Sequence, residues 1–298
     1  MNKTITSTKG IVIAFLGALL LTPDTLFMRL SEMNIWTMLF WRGFQMGIVL
    51  IIFTLIIKKY RDNFSLIFSK PGILISVTQS LGSIFFTIGI YESSVALILF
   101  CIATSPLFAS LFSFMILKEI IKKSTIMASF FCILGILIVV LDADNVSNSP
   151  NNNVILGSIC GLFTAASLGL NFVLLRLKPD IPPFGVTGFG GFLIGILSLF
   201  LVDFNEIFEG DIISISISGL IILPFSFAAL TYATRYTIAA NISLLMLLET
   251  IFGPIWVWLF LNETIGVQMI FGGLIVISSL VIYFSKFQST TVKPSNSG

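Results

Sequence analysis

The sequence predicts an all-α membrane protein of ten transmembrane helices, arranged as two inverted five-helix repeats. Three observations predict it: apolar runs of about twenty residues, basic residues confined to alternate connections, and two halves that share spaced landmarks. Mean hydropathy is +1.06, and only 10% of the 298 residues are charged, against about 25% in a soluble domain. So few charges cannot cover a water-exposed surface.

The apolar runs fall at 10–30, 34–57, 71–91, 94–117, 122–141, 154–176, 184–202, 213–234, 238–261 and 266–285. At ~1.5 Å per residue each is long enough to cross a bilayer core, or nearly so. The first run follows Lys3 and Lys9 as a signal peptide would. No small-residue cleavage site precedes Pro23-Asp24, and nine further runs follow, so it reads as a retained helix. The runs at 71–91 and 94–117 are separated by so short a turn that they must be an antiparallel pair.

With the N-terminus placed in the cytoplasm, the inner segments hold Lys3, Lys9, Lys58, Lys59, Arg61, Lys70, Lys118, Lys122, Lys123, Arg176, Lys178, Arg235, Lys286 and Lys293, 14 of the 16 basic residues. The other two, Arg29 and Arg42, lie at or inside the membrane. The outer loops carry Glu32, Glu92, Asp142, Asp144, Asp203, Glu206, Glu209, Asp211 and Glu263, and no lysine. One missed or extra span would scramble this segregation. It predicts cytoplasmic N- and C-termini in a plasma (inner) membrane.

The polar stretch 142–153 divides the chain into a first repeat, 10–141, and a second, 154–285, followed by a polar tail, 286–298. Gly10 is followed 19 residues later by Arg29-Leu30, and Gly157 by Arg176-Leu177 at the same spacing. Leu117-Lys118-Glu119 ends the fourth run and Leu261-Asn262-Glu263 the ninth, an offset of 144 against 147 at the front. Five helices is an odd number, so the second repeat enters from the opposite side. Two halves related in this way can pack in two equivalent arrangements, the architecture of secondary transporters.

The helix that opens on Gly10 and closes on Arg29, the Ser105-Pro106-Leu107 and Leu117-Lys118-Glu119 pair, and the glycine-bearing run after it resemble the drug/metabolite transporter superfamily. The similarity is to its EamA-domain branch and covers nearly all of 10–285. Where that family has Glu-Pro in the ninth helix, this chain has Glu249-Thr250, with Pro254 four residues on. The resemblance implies the two-repeat fold and the movement of amino acids, drugs, nucleotide sugars or other metabolites.

The chemistry available is narrow. With no histidine in the chain, HExxH zinc sites and Ser-His-Asp triads are impossible. No GxSxG and no Gly-Lys pair occur, so there is no nucleophile elbow and no P-loop. Cys101, Cys132 and Cys160 lie in apolar runs without paired spacing, which suggests neither disulfides nor a metal site. No cofactor, metal or catalytic activity is expected, and a net charge of +2 points to no nucleic acid.

Ionisable groups within the runs are the best pointers to a site, since each costs roughly 2.5–3.5 kcal/mol at a helix centre on insertion scales. Asp24 lies ~9 Å from the outer end of the first run and Arg42 ~12 Å into the second from the same side, so they form an ion pair or two poles of one site. Arg42 and Gln45 share a helix face, and Trp41 lies beside them; Trp36 reads as an interfacial residue. Glu249 is the deepest carboxylate. Low dielectric penalises its charged form, the condition a proton carrier needs, and Asp24 is the other coupling candidate. Gln79 and Asn171 are polar at depth, and Asn171 matches Asp24 under the 147 offset. Tyr91, Thr231, Tyr232 and Trp256 are candidate path-lining residues, for each of which packing is the alternative. Pro23, Pro106, Pro224 and Pro254 lie inside runs and should bend them. Gly43/Gly47, Gly157/Gly161 and Gly191/Gly195 suit close helix packing.

The expected function is secondary transport of a small polar or amphipathic metabolite, such as an amino acid or amine, by alternating access. The bilayer and a coupling proton would be partners, and the protein a monomer or homodimer. A passive pore or a non-transporting scaffold subunit are the alternatives.

Overall fold

The structure, a computed structural model, describes residues 8–118 and 153–261, with isolated helical positions within 127–138 and 267–279. The expected helices at 122–141 and 266–285, most of the 142–153 stretch and the 286–298 tail lie largely outside the described residues. Among the described residues every regular element is helical. Seven helices are long and apolar enough to cross a membrane: α1 (Thr8–Leu30), α2 (Ile35–Ile56), α3 (Lys70–Glu92), α4 (Val95–Leu117), α5 (Val154–Leu177), α7 (Ile212–Ala233) and α8 (Ala239–Leu261). A shorter apolar helix, α6 (Pro183–Leu199), lies between α5 and α7.

α6 stops three residues before the expected 202, because Leu201 and Val202 both turn their N–H groups back to the Ser198 carbonyl. The α2–α3 connection is not plain loop. It holds a short helix (Lys58–Asp62) and a 3₁₀ turn (Phe64–Phe68).

Four helices are irregular. In α1 the helical ladder breaks at Thr22-Pro23. Pro23 has no N–H to give the Leu19 carbonyl, and the Thr22 N–H and hydroxyl serve that oxygen instead, at 3.3 and 3.0 Å. α4 breaks at Ala103-Thr104, just before Pro106. α7 relaxes into a π-turn over Ile217–Ile222, directly before Pro224, the wider ring taking up the missing donor. α8 breaks at Met246 although Pro254 lies eight residues further on, inside an unbroken segment. The α8 break sits 142–143 residues beyond the α4 break, close to the 144 offset between the two halves.

Hydrogen bonds fix the relative direction of four helices. Asp211 N–H donates to the Ser31 carbonyl (2.7 Å) and Asn153 N–H to that of Glu92 (2.9 Å), so the ends of α1 and α3 meet the starts of α7 and α5. Glu32, Glu92, Glu206 and Asp211 mark this acidic end. Lys9, Lys59, Arg176 and Arg235 mark the opposite, basic end. α1 and α3 therefore run from basic to acidic end, while α5 and α7 run the other way. Gly210, at φ +87°, makes the turn into α7 beneath the Ser31 carbonyl, where a Cβ would collide.

The most extensive packing joins the first four helices to the last four: α2 to α6, α3 to α5, α4 to α5, α1 to α7, and α4 to α8. The first half of α4 meets the second half of α8 and the reverse, so these two cross antiparallel. Glycine allows a close crossing of α2 and α6. Gly43 and Gly47 of α2 face Gly191 and Gly188 of α6 across backbone contacts that a side chain would fill. One continuous core links buried Ala18, Leu50, Ile90, Leu99, Phe172, Leu230 and Ile242 from both groups.

Candidate functional site

Each helix irregularity opens on one chamber. Leu21 and Asp24 flank the Pro23 break in α1, Ile102 precedes the break in α4, Leu223 follows the π-turn in α7, and Met246 and Glu249 lie at the break in α8; all line it. α2 adds Arg42 and Met46, α3 adds Thr78, Gln79, Gly82, Ser83 and Phe86, and α5 adds Thr164, Ser167 and Leu168. Backbone groups freed from a helical ladder persist at membrane depth only where protein or a water-filled cavity satisfies them, so the breaks and the chamber explain each other. The free volume is about 50 Å³, room for a few waters at ~10–15 Å³ each.

Three charged groups face this space, and all are buried: Asp24 (1% exposed), Arg42 (4%) and Glu249 (4%). Arg42 Nη2 donates to Asp24 Oδ2 at 2.6 Å. The Ser218 hydroxyl, carried by the π-turn of α7, donates to Asp24 Oδ1 at 2.5 Å. Both Asp24 oxygens are thus engaged. Arg42 keeps Nε and Nη1 buried and without a partner among the described residues, and its guanidinium carbon stands 5.7 Å over the Phe86 ring. The Glu249 carboxylate has no hydrogen-bond partner among the described residues, and the charges of Asp24 and Arg42 both act on it. A buried polar group without a partner costs about 1–3 kcal/mol. A bound solute that accepts from Arg42 and meets Glu249 would remove that cost.

Of the residues singled out from sequence, the structure brings Asp24, Arg42, Gln79 and Glu249 together. Gln45 stands behind the wall, its Nε2 donating to Ser216 Oγ at 2.7 Å and its Oε1 left unpartnered. Trp41 Nε1 donates to the Ile207 carbonyl (2.8 Å) and ties α2 to the loop before α7. Asn171 joins α5 to α3 through the Ile75 carbonyl (3.0 Å). Trp256 donates to Thr22 Oγ1 (3.3 Å) beside the α1 break. Tyr232 lies toward the basic end, sharing a hydroxyl contact of 2.8 Å with Tyr236. Cys101 and Cys160 are buried free thiols.

Sequence reasoning missed the hydroxyl lining of Thr78, Ser83, Thr164 and Ser167, and it missed Ser218. A signal existed for the α3 wall: 78, 79, 82, 83 and 86 repeat at helical spacing and form one stripe. Nothing in the sequence marks Ser218, whose position depends on the π-turn.

A sequence model of the EamA-like transporter family matches residues 8–141 and again residues 155–285. A protein of Clostridium kluyveri described as an uncharacterized transporter is 25% identical over 228 residues, covering 74% of this chain and 73% of the relative. A solved crystal structure, of a chain described only as a protein, superimposes with a TM-score of 0.67 at 13% identity, over 93% of this chain and 97% of the other. That likeness is one of fold. The bundle is an integral membrane protein built for transport, and, matched along nearly its whole length, the chain belongs to the EamA-like transporter family.

Proposed function

We propose that the protein is a secondary transporter, moving a small polar or amphipathic metabolite such as an amino acid or amine by alternating access. The chamber binds the solute, and Glu249 carries the coupling proton. Two inverted five-helix halves, ten helices in all, rock about this site, with the basic end and both termini in the cytoplasm and the chain in a plasma membrane. The observation that carries the reading is the meeting of four broken or relaxed helices at one chamber where Arg42 keeps two buried nitrogens unpartnered and Glu249 is buried beside it. Discontinuous helices at the interface of two halves are how transporters present backbone and charge to a solute at mid-membrane. Between the two carboxylates, the geometry favours Glu249 as proton carrier, because Asp24 already accepts from Arg42 and Ser218.

The test is uptake by proteoliposomes under an imposed proton gradient, screened across amino acids and amines, with wild type and Glu249→Gln. The expected result is saturable, gradient-driven uptake by wild type. The variant should lose the gradient response at least roughly tenfold while keeping solute counterflow, since a neutral amide holds the solute but carries no proton. Flux that never saturates would establish a pore instead. Absence of flux for every solute under any gradient would remove the transport reading.

A further inference from the structure

We propose that a second site, at the basic end of the bundle and separate from the central chamber, binds an anionic oxygen group, a phosphate or carboxylate. A basin of about 740 Å³ opens there, lined by the Lys58–Asp62 turn, the end of α4, the end of α5 and the residues that follow α7. Its size lies within the ~300–1,000 Å³ of ligand sites. Lys59, Arg176 and Arg235 line it against a single acidic residue, Asp180.

Charge segregation alone would leave these cations extended into water. Arg235 is instead held in place. Its guanidinium carbon lies 4.8 Å over the Tyr60 ring, and Nη2 donates to the Ile181 carbonyl at 3.2 Å. One edge is thereby fixed, and the side chain makes no other hydrogen bond among the described residues. A planar guanidinium held this way presents a fork matched to carboxylate or phosphate. Tyr60 supplies the independent observation. It is 4% exposed, lines the basin, and its hydroxyl has no hydrogen-bond partner among the described residues. Burial pushes that hydroxyl above the usual tyrosine range, with Arg235 opposing, so it remains a protonated donor at neutral pH. A buried donor and a pinned guanidinium in one basin make an anion site.

The ligand source is either a soluble anion or the headgroup of an anionic lipid, and binding to the whole purified protein separates them. In one arm, inorganic phosphate is titrated onto protein in phosphatidylcholine nanodiscs and the thermal midpoint is followed, with sodium chloride at matched ionic strength as control. In the other, phosphatidylglycerol retention is measured by native mass spectrometry. Wild type should bind in at least one arm. Arg235→Gln should weaken that binding roughly tenfold or more, as loss of a charge-assisted contact does. Tyr60→Phe, which keeps the ring beneath Arg235, should weaken it several-fold, and it carries the test alone if the arginine variant does not fold. Saturation by phosphate in neutral nanodiscs identifies a soluble ligand, and arginine-dependent retention of phosphatidylglycerol alone identifies a headgroup. Chloride matching the effect of phosphate with no selective lipid retention, or binding unchanged in both variants, overturns the proposal. Because no arm measures flux, its failure leaves the transport reading untouched, and the reverse.

Discussion

At the residue scale the site turns on how three buried charges are partnered. Asp24 is held twice, by Arg42 and by Ser218, whereas Arg42 keeps two buried nitrogens without a partner among the described residues. Removing one member of a buried pair strands the other, which costs about 3–5 kcal/mol. Asp24→Asn and Arg42→Gln should therefore each lower stability on that scale and abolish transport, read by thermal unfolding in detergent and by proteoliposome uptake. A scaffold subunit would show the same loss of stability but would have no solute flux to lose. Ser218→Ala removes a hydrogen bond to a charged oxygen, worth about 1.5–3 kcal/mol. It should lower the unfolding midpoint and weaken solute affinity, since Asp24 then no longer holds Arg42 in one orientation. Full affinity in that variant would show that the π-turn does not position the pair.

At the element scale, α2 and α6 cross in close backbone contact. A Cβ on Gly43 would stand 2.7 Å from the Gly191 carbonyl oxygen and 2.9 Å from the Gly195 nitrogen. Both are backbone atoms, so the helices themselves must part. Gly43→Ala is expected to cost ~1–3 kcal/mol as overpacking, seen as a lowered unfolding midpoint; a midpoint equal to wild type would contradict the close crossing. The four-residue glycine spacing marked α2 and α6 as helices suited to close packing, though not as partners of each other. The sequence announced the α1 break through Pro23, and the Asp24–Arg42 pair through matched depth on neighbouring helices. It did not announce the α8 break at Met246, where no proline acts. Nor did it announce the chamber hydroxyls, since such a group is satisfied along its own helix, as Thr164 is by the Cys160 carbonyl (2.9 Å). A serine or threonine among apolar neighbours therefore looks alike whether it faces a cavity or a packed wall.

At the scale of the whole molecule, the pairing of helices has the pattern a two-fold relation between the halves would give. α1 packs on α7 and α3 on α5, an exchanged pair, while α2 with α6 and α4 with α8 are pairs that map onto themselves. In an arrangement of this kind the contacts closing one end have counterparts at the other. The alternating access proposed here requires a bundle of this kind to open either way around a fixed centre at little difference in energy. Under the proposed alternating access, the small chamber, about 50 Å³, would be one state of a site that widens toward each side in turn.

The most direct test of this account needs no knowledge of the solute. Ser83 lines the chamber from α3 and carries no charge. Ser83→Cys is placed in a chain whose three native cysteines are replaced by alanine, and its labelling by a small membrane-impermeant thiol reagent is measured from each side of oriented vesicles. The account predicts modification from both sides, at rates that shift in opposite directions when a proton gradient is imposed. Labelling from one side only, or from neither under any gradient, would contradict it.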